Sequence, residues 1–142
     1  MKRIHAVVGI VGLMAFIATG QYMDRVHDHL RQTPDVTRLL FRSTHIYLLL
    51  ASIINLALGL YLSVSPIPWR RGMQRIGSLL LLAGPPLLLA GFSTEPWLSD
   101  LARPYTRPAI YGALAGIHFH LVANLGAKSD DADALIDRLG VG

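Results

Sequence analysis

Cysteine is absent from the 142 residues, so the chain has no disulfide, no thiolate metal ligand, no thiol nucleophile and no anchor for an iron–sulfur cluster. Charge is scarce too. Only 15% of residues are Asp, Glu, Lys or Arg, against ~25% in a typical soluble domain. The formal net charge is +4, yet no Lys/Arg-rich run with interleaved aromatics occurs, which argues against nucleic-acid binding. Also missing are a nucleophile elbow, a P-loop, a Rossmann glycine turn, a helical His-Glu-x-x-His pair and any internal repeat.

What the chain has instead is long uncharged runs. Between Arg3 and Asp24, Arg42 and Arg70, Arg75 and Glu95, and Arg107 and Lys128 lie 20, 27, 19 and 20 residues without a charge. A helix needs roughly 20 residues to cross ~30 Å of hydrocarbon. Hydrophobic residues make up 52% of the chain and mean hydropathy is +0.43. The expected fold is therefore all-α: an integral membrane four-helix bundle, up-down-up-down, with spans at about 4–23, 43–64, 76–92 and 108–127. Together these form one transmembrane domain over 1–128, followed by a short polar tail over 129–142. Lys2 and Arg3 before an apolar run ending Ala18-Thr19-Gly20 have the outline of a signal peptide. The run exceeds the roughly 7–15 residues of a signal core and is read as a retained first helix.

Turn chemistry refines these limits. Thr33-Pro34 has the form of an N-cap followed by proline, so a helix starting near Pro34 could continue into the second span. Pro66-Ile67-Pro68 stops that span, and Pro85-Pro86 should kink the third. Trp69 and Trp97 suit interfacial anchors. Alternate crossing puts seven Lys/Arg on the N-terminal side (Lys2, Arg3, Arg70, Arg71, Arg75, Lys128, Arg138) and six on the other (Arg25, Arg31, Arg38, Arg42, Arg103, Arg107). The positive-inside rule then favours cytoplasmic N- and C-termini in a bacterial inner membrane.

Polar and small residues within the spans are patterned. His5, Gly9, Gly12, Phe16 and Thr19 share one helical face, Gly77, Gly84 and Gly91 recur every seven residues, and Gly112, Gly116 and His120 every four. Glycine faces let helices approach closely in lipid; the other reading is clearance for a flat cofactor beside a histidine. Ionisable residues inside a membrane are functional candidates. His5 and His45 open their spans, whereas His118 and His120 lie roughly 15 and 18 Å into the membrane from Pro108. Two residues apart on a helix, they point to nearly opposite faces, one to the bundle and the other to a neighbour. Ser52 and Asn55 suit interhelical hydrogen bonds. His27 and His29, within Asp24-Arg25-Val26-His27-Asp28-His29, are a candidate Zn²⁺ or Cu²⁺ site, against the alternative of an ordinary polar loop.

Arg3-Ile4-His5, the apolar run with Phe16, and its close in Ala18-Thr19-Gly20 resemble the first helix of the cytochrome b561-like membrane cytochromes, which include the b-subunits of formate dehydrogenases and nickel–iron hydrogenases. His45 at the opening of the second helix and Gly116-Ile117-His118 in the fourth are similar to their counterparts. The resemblance covers about 50 residues in three pieces. It implies haem b with two histidine ligands: His5 with His118, or with His120 as the alternate, and Gly9, Gly12 and Gly116 giving clearance. His45 matches a ligand of the family's second haem, but around Arg103–Tyr111 no histidine supplies its mate. Ala6 stands where the family has Trp. The implied function is electron transfer between quinone and a partner; the alternative is an accessory subunit packed against other membrane-protein subunits of a larger complex. A channel ranks last, because no span carries an acidic residue at its middle.

Overall fold

The computed structural model describes residues 1–98 and 101–125. All its regular structure is helical: α1 (Lys2–Arg25), α2 (Asp35–Tyr61), α3 (Pro68–Thr94) and α4 (Thr106–Leu125), with single 3-10 turns at Asp28–Leu30 and Glu95–Trp97. Among the described residues there is no strand. Residues 126–128 and the expected tail, 129–142, lie outside the described residues.

The helix ends follow from local chemistry. α2 begins directly after Pro34, which sits at its N-cap, so it extends a good two turns ahead of the uncharged run. It stops where Leu62 turns to an extended backbone before the Pro66 and Pro68 pair. α3 takes Pro68 at its first position, where the missing N–H would be unbonded anyway. It thus starts eight residues before the expected Ile76. Counting charges marks where a helix could enter hydrocarbon; it does not mark where the helix begins. α3 continues through Pro85 and Pro86.

Close contacts set the arrangement. A Cβ on Gly9 would strike Leu56, one on Gly12 Ser52, and one on Gly59 the backbone of Ala6, so α1 and α2 run antiparallel at near-backbone distance. Gly77 meets Gly116 and Gly91 meets Thr106, which pairs α3 with α4 in the same way. α2 and α3 join the two hairpins, α1 with α3 and α2 with α4 touch less, and α1 with α4 is not among the closely packed pairs.

The distribution of polarity is inverted relative to a soluble bundle. Ile4, Val7, Ile10, Val11, Met14 and Ile17 face outward along α1, as do Ile46, Leu50, Ile53 and Leu60 along α2. Buried inside are His5, Thr19, Thr44, Ser52, Asn55, Gln74, Ser78, Glu95, Thr106 and His120. Water would drive these sets to exchange places, whereas hydrocarbon leaves apolar side chains outside and gathers polar ones where they find partners. Three helical stretches, Lys2–Arg25, Asp35–Tyr61 and Pro68–Trp97, are long and apolar enough to cross a membrane. The chain has the character of a membrane protein.

Candidate functional site

A polar node ties together all four helices. The amide nitrogen of Asn55 on α2 donates to the Ala51 carbonyl at 2.9 Å and to the Leu81 carbonyl on α3 at 3.0 Å. Its oxygen therefore faces His5 of α1, whose Nδ1 lies 2.7 Å away. On the far side, Ser78 Oγ of α3 bonds His120 Nε2 of α4 at 3.2 Å. His5 is 0% exposed and His120 6%. The remaining ring nitrogens, His5 Nε2 and His120 Nδ1, are buried without a hydrogen-bond partner. Both imidazoles are tied to one stretch of α3, since Leu81, which accepts from Asn55, lies three residues beyond Ser78.

Orphaned buried imidazole nitrogens are rare and call for an explanation. Chemically, His5 Nε2 is a lone-pair donor backed by the Asn55 bond, and His120 Nδ1 is one in the tautomer whose Nε2–H donates to Ser78. Metal-ligating histidines have this second-shell arrangement. The structure turns both His5 and His120 into the core. It sets His118 apart, exposed on the outer face of α4.

The glycines take part in helix contact. The space over Gly9 holds Leu56, that over Gly12 holds the Ser52 side chain, and that over Gly116 holds the Gly77 carbonyl and Leu81. None of the three opens onto the histidine pair as clearance for a flat ring. The glycine faces serve the packing of α1 on α2 and of α3 on α4.

His45 occupies a separate place near the other end of α1. It stacks on Phe16 at 4.0 Å between ring centroids, and its Nδ1 lies 2.9 Å from Thr19 Oγ1. Thr19 donates its own hydrogen to the Phe16 carbonyl at 2.9 Å. It must therefore accept from His45, which leaves Nε2 of His45 with the lone pair.

His27 and His29 diverge. His27 joins the ring cluster of Tyr22, Phe41 and Trp97 and meets Tyr22 Oη at 3.3 Å. His29 pairs with Asp24 at 2.7 Å. Among the described residues, no three His, Asp or Glu side chains converge as a metal site. Asp28, His29 and Leu30 all have positive φ (46°, 55° and 63°), and Leu30 is driven into the Phe41–Phe92 cluster.

Glu95 was not anticipated. It bounds an uncharged run in the sequence, yet it is 0% exposed. Oε1 accepts from the backbone N–H of Tyr105 at 2.9 Å and of Thr106 at 2.8 Å, and Oε2 accepts from Thr106 Oγ1 at 2.6 Å. Since Thr106 spends its hydrogen there, Thr44 donates to Thr106 across 3.3 Å. A carboxylate from the end of α3 thus caps the start of α4. Gln74 performs the corresponding task at the opposite end, taking the Ser65 N–H and donating to the Ser63 carbonyl and to Asn124. The signal for Glu95 was available: it lies eleven residues before a Thr-x-Pro helix start, with a proline on either side. The hydrogen-bonding of Ser78 and Gln74 has no comparable local signature.

Two apolar cavities of about 450 and 300 Å³ run along α1 and α3 and share Ala15 and Leu89. The larger is walled by Tyr22, Phe41, Phe92 and Trp97, and neither is lined by a histidine. Comparison with protein-family models, with curated proteins and with solved structures finds no match.

Proposed function

We propose that the chain is a four-span integral membrane protein, up-down-up-down, that carries b-type haem between His5 and His120 as an electron-transfer subunit. The observation that carries this reading is the pair of buried, unpartnered nitrogens, His5 Nε2 and His120 Nδ1. An apolar core does not retain such atoms without cause, because each forfeits about 1–3 kcal/mol when unbonded. His5 and His120 would hold the iron, with Asn55 and Ser78 behind them. When bound, the group supplies a one-electron carrier inside the bilayer. The chain's own part is to orient two imidazoles and exclude water. A quinone and a partner protein would be its electron donor and acceptor, and the aromatic-walled cavity is of a kind that takes a planar ring.

The fourth span is α4. Its 20 residues reach ~30 Å, and Tyr111, Leu114, Leu121 and Leu125 are exposed on it. His120 turns inward, and Asn124 bonds Gln74. We place the protein in a bacterial inner membrane with both termini cytoplasmic. Because the chain has no cysteine, single substitutions Gln32→Cys, Gly72→Cys and Leu101→Cys report sidedness cleanly. Labelling of Gly72→Cys from one side, and of the other two from the opposite side, is the expected result.

The haem test is spectroscopic. Full-length protein from haem-supplied cells should show a Soret band and a sharp α-band on reduction. His5→Ala and His120→Ala should abolish both bands, and His118→Ala should keep them. Colourless wild-type protein overturns the haem reading.

His118 favours a second reading, the accessory subunit. An imidazole exposed on α4 beside Leu114 and Leu121 is costly against lipid. A partner helix covering that face would remove the cost. Co-purification of one stoichiometric membrane partner, lost in His118→Leu, is the result expected there.

A further inference from the structure

We infer that Asn55 is a positioning residue that fixes the tautomer of His5, holding the proton on Nδ1 and presenting Nε2 as a bare lone pair to the core. This deepens the reading of the His5–His120 pair given above, but its geometric basis is separate.

An asparagine amide has two donors and one acceptor oxygen. Both Asn55 donors are engaged with carbonyls, on its own helix at Ala51 and on α3 at Leu81, and a carbonyl can only accept. Rotating the amide by half a turn would aim its oxygen at those two carbonyls, lone pair against lone pair. The orientation is therefore determined by the backbone of two helices, and Oδ1 is the atom left for His5. An oxygen without hydrogen accepts, so Nδ1 of His5 must donate. A neutral imidazole has one N–H, which leaves Nε2 unprotonated in a place where it meets no donor.

The lock is built into the packing. Asn55 is 0% exposed, and Ser52, one turn earlier on α2, fills the space over Gly12 on α1. Gly9 admits Leu56, the neighbour of Asn55, against the α1 backbone. The glycine contacts thus hold α1 in the register that sets His5 opposite Asn55. Leu81, whose carbonyl receives the Asn55 amide, lies three residues beyond Ser78, whose hydroxyl holds His120. One stretch of α3 consequently orients both imidazoles.

A lone pair facing a dry core is a ligand for a metal centre or an acceptor for a proton. A donating Nδ1 also raises the basicity of the ligating nitrogen.

The test is nitrogen-15 NMR of the full chain in detergent micelles, labelled at histidine, with His5 assigned by its loss in His5→Gln. Wild type should show Nδ1 of His5 as protonated and Nε2 as unprotonated. Asn55→Leu should lose that pattern, and Asn55→Asp, which keeps an acceptor oxygen, should retain it. Protonated Nε2 in wild type, or an unchanged spectrum in Asn55→Leu, overturns the assignment. If Asn55→Leu does not fold, the wild-type spectrum and Asn55→Asp still decide. Where haem binds, Asn55→Leu should weaken it about 10–100-fold, and Ser93→Ala, whose hydroxyl bonds only its own helix, should not. Colourless protein with Nδ1-protonated His5 overturns the haem reading and supports this one.

Discussion

Removing the Glu95 carboxylate should open the α3–α4 connection and destabilise the whole bundle. Glu95→Ala leaves three donors without an acceptor: the backbone N–H groups of Tyr105 and Thr106, and the Thr106 hydroxyl. Each orphaned donor costs about 1–3 kcal/mol when buried. The three share one carboxylate at a helix end, where water can reach once the side chain is gone, so the sum is not additive. The loss of a negative charge from the first turn of α4 adds up to about 1 kcal/mol. A net loss of about 3 kcal/mol is the working figure, equivalent to a fall of roughly 6–12 °C in the unfolding midpoint for a chain of this size.

The assay is thermal unfolding in one detergent at one heating rate, since irreversible unfolding makes the midpoint depend on scan rate. Glu95→Gln retains one oxygen for the two backbone N–H groups and should lose about a third as much as Glu95→Ala. Thr106→Ala removes one of the three bonds, and in a double-mutant cycle with Glu95→Ala the two should couple by about 1 kcal/mol or more. An Ala variant within 1 °C of wild type (about the resolution of such a scan), or a Gln variant as damaged as Ala, would refute the capping role.

Four further outcomes are expected from other parts of the molecule. Gly77→Ala brings a methyl to 2.8 Å from the Gly116 carbonyl and should cost about 1–3 kcal/mol. Gly72→Ala, with nothing within 4 Å, should gain up to about 1 kcal/mol in the same unfolding assay. Asp28→Gly should be neutral or stabilising by about 1 kcal/mol, because it relieves one of three consecutive left-handed residues. A clear loss there would mean that the Asp28 side chain has a partner. Ser78→Ala should leave the helices paired while freeing His120 Nε2, read as a changed histidine nitrogen-15 signal in place of a changed midpoint.

The sequence was legible where one physical term dominated. Uncharged length announced the long apolar helices, and the Thr33-Pro34 signal located the start of α2. The four-residue and three-residue steps through His5, Gly9 and Gly12 named a face that is buried. Where two terms competed, the pattern was silent. His118 and His120 are the same residue two positions apart, and helical geometry says only that they face apart. Which one turns inward depends on where Ser78 and Gly77 sit on another helix. The first turns of α3 read as loop because Trp69, Arg70, Arg71 and Arg75 belong to the interface by composition, although Pro68 already commits the backbone to a helix. His27 and His29 stand as a candidate metal site in the sequence because two imidazoles and two carboxylates fall within six residues, with an ordinary polar loop as the alternative. Across the left-handed turn at Asp28–Leu30, His27 joins an aromatic cluster and His29 pairs with Asp24.

On the proposal that α4 is the fourth span, hydropathy alone misjudges it. Three polar residues, His118, His120 and Asn124, depress its average, and it falls outside the set of stretches that pass by apolarity. Of these, His120 is buried and bonded to Ser78, whereas Asn124 stays exposed while accepting from Gln74. The free energy of placing a helix in lipid depends on the face it presents, and a polar group with an interhelical partner is largely removed from that account. His118 and Asn124 are both exposed on α4. The outer face of α4 thus carries two polar residues, His118 and Asn124, among Tyr111, Leu114, Leu121 and Leu125, and His118→Leu should raise membrane retention of the isolated α3–α4 segment without disturbing the full-length fold.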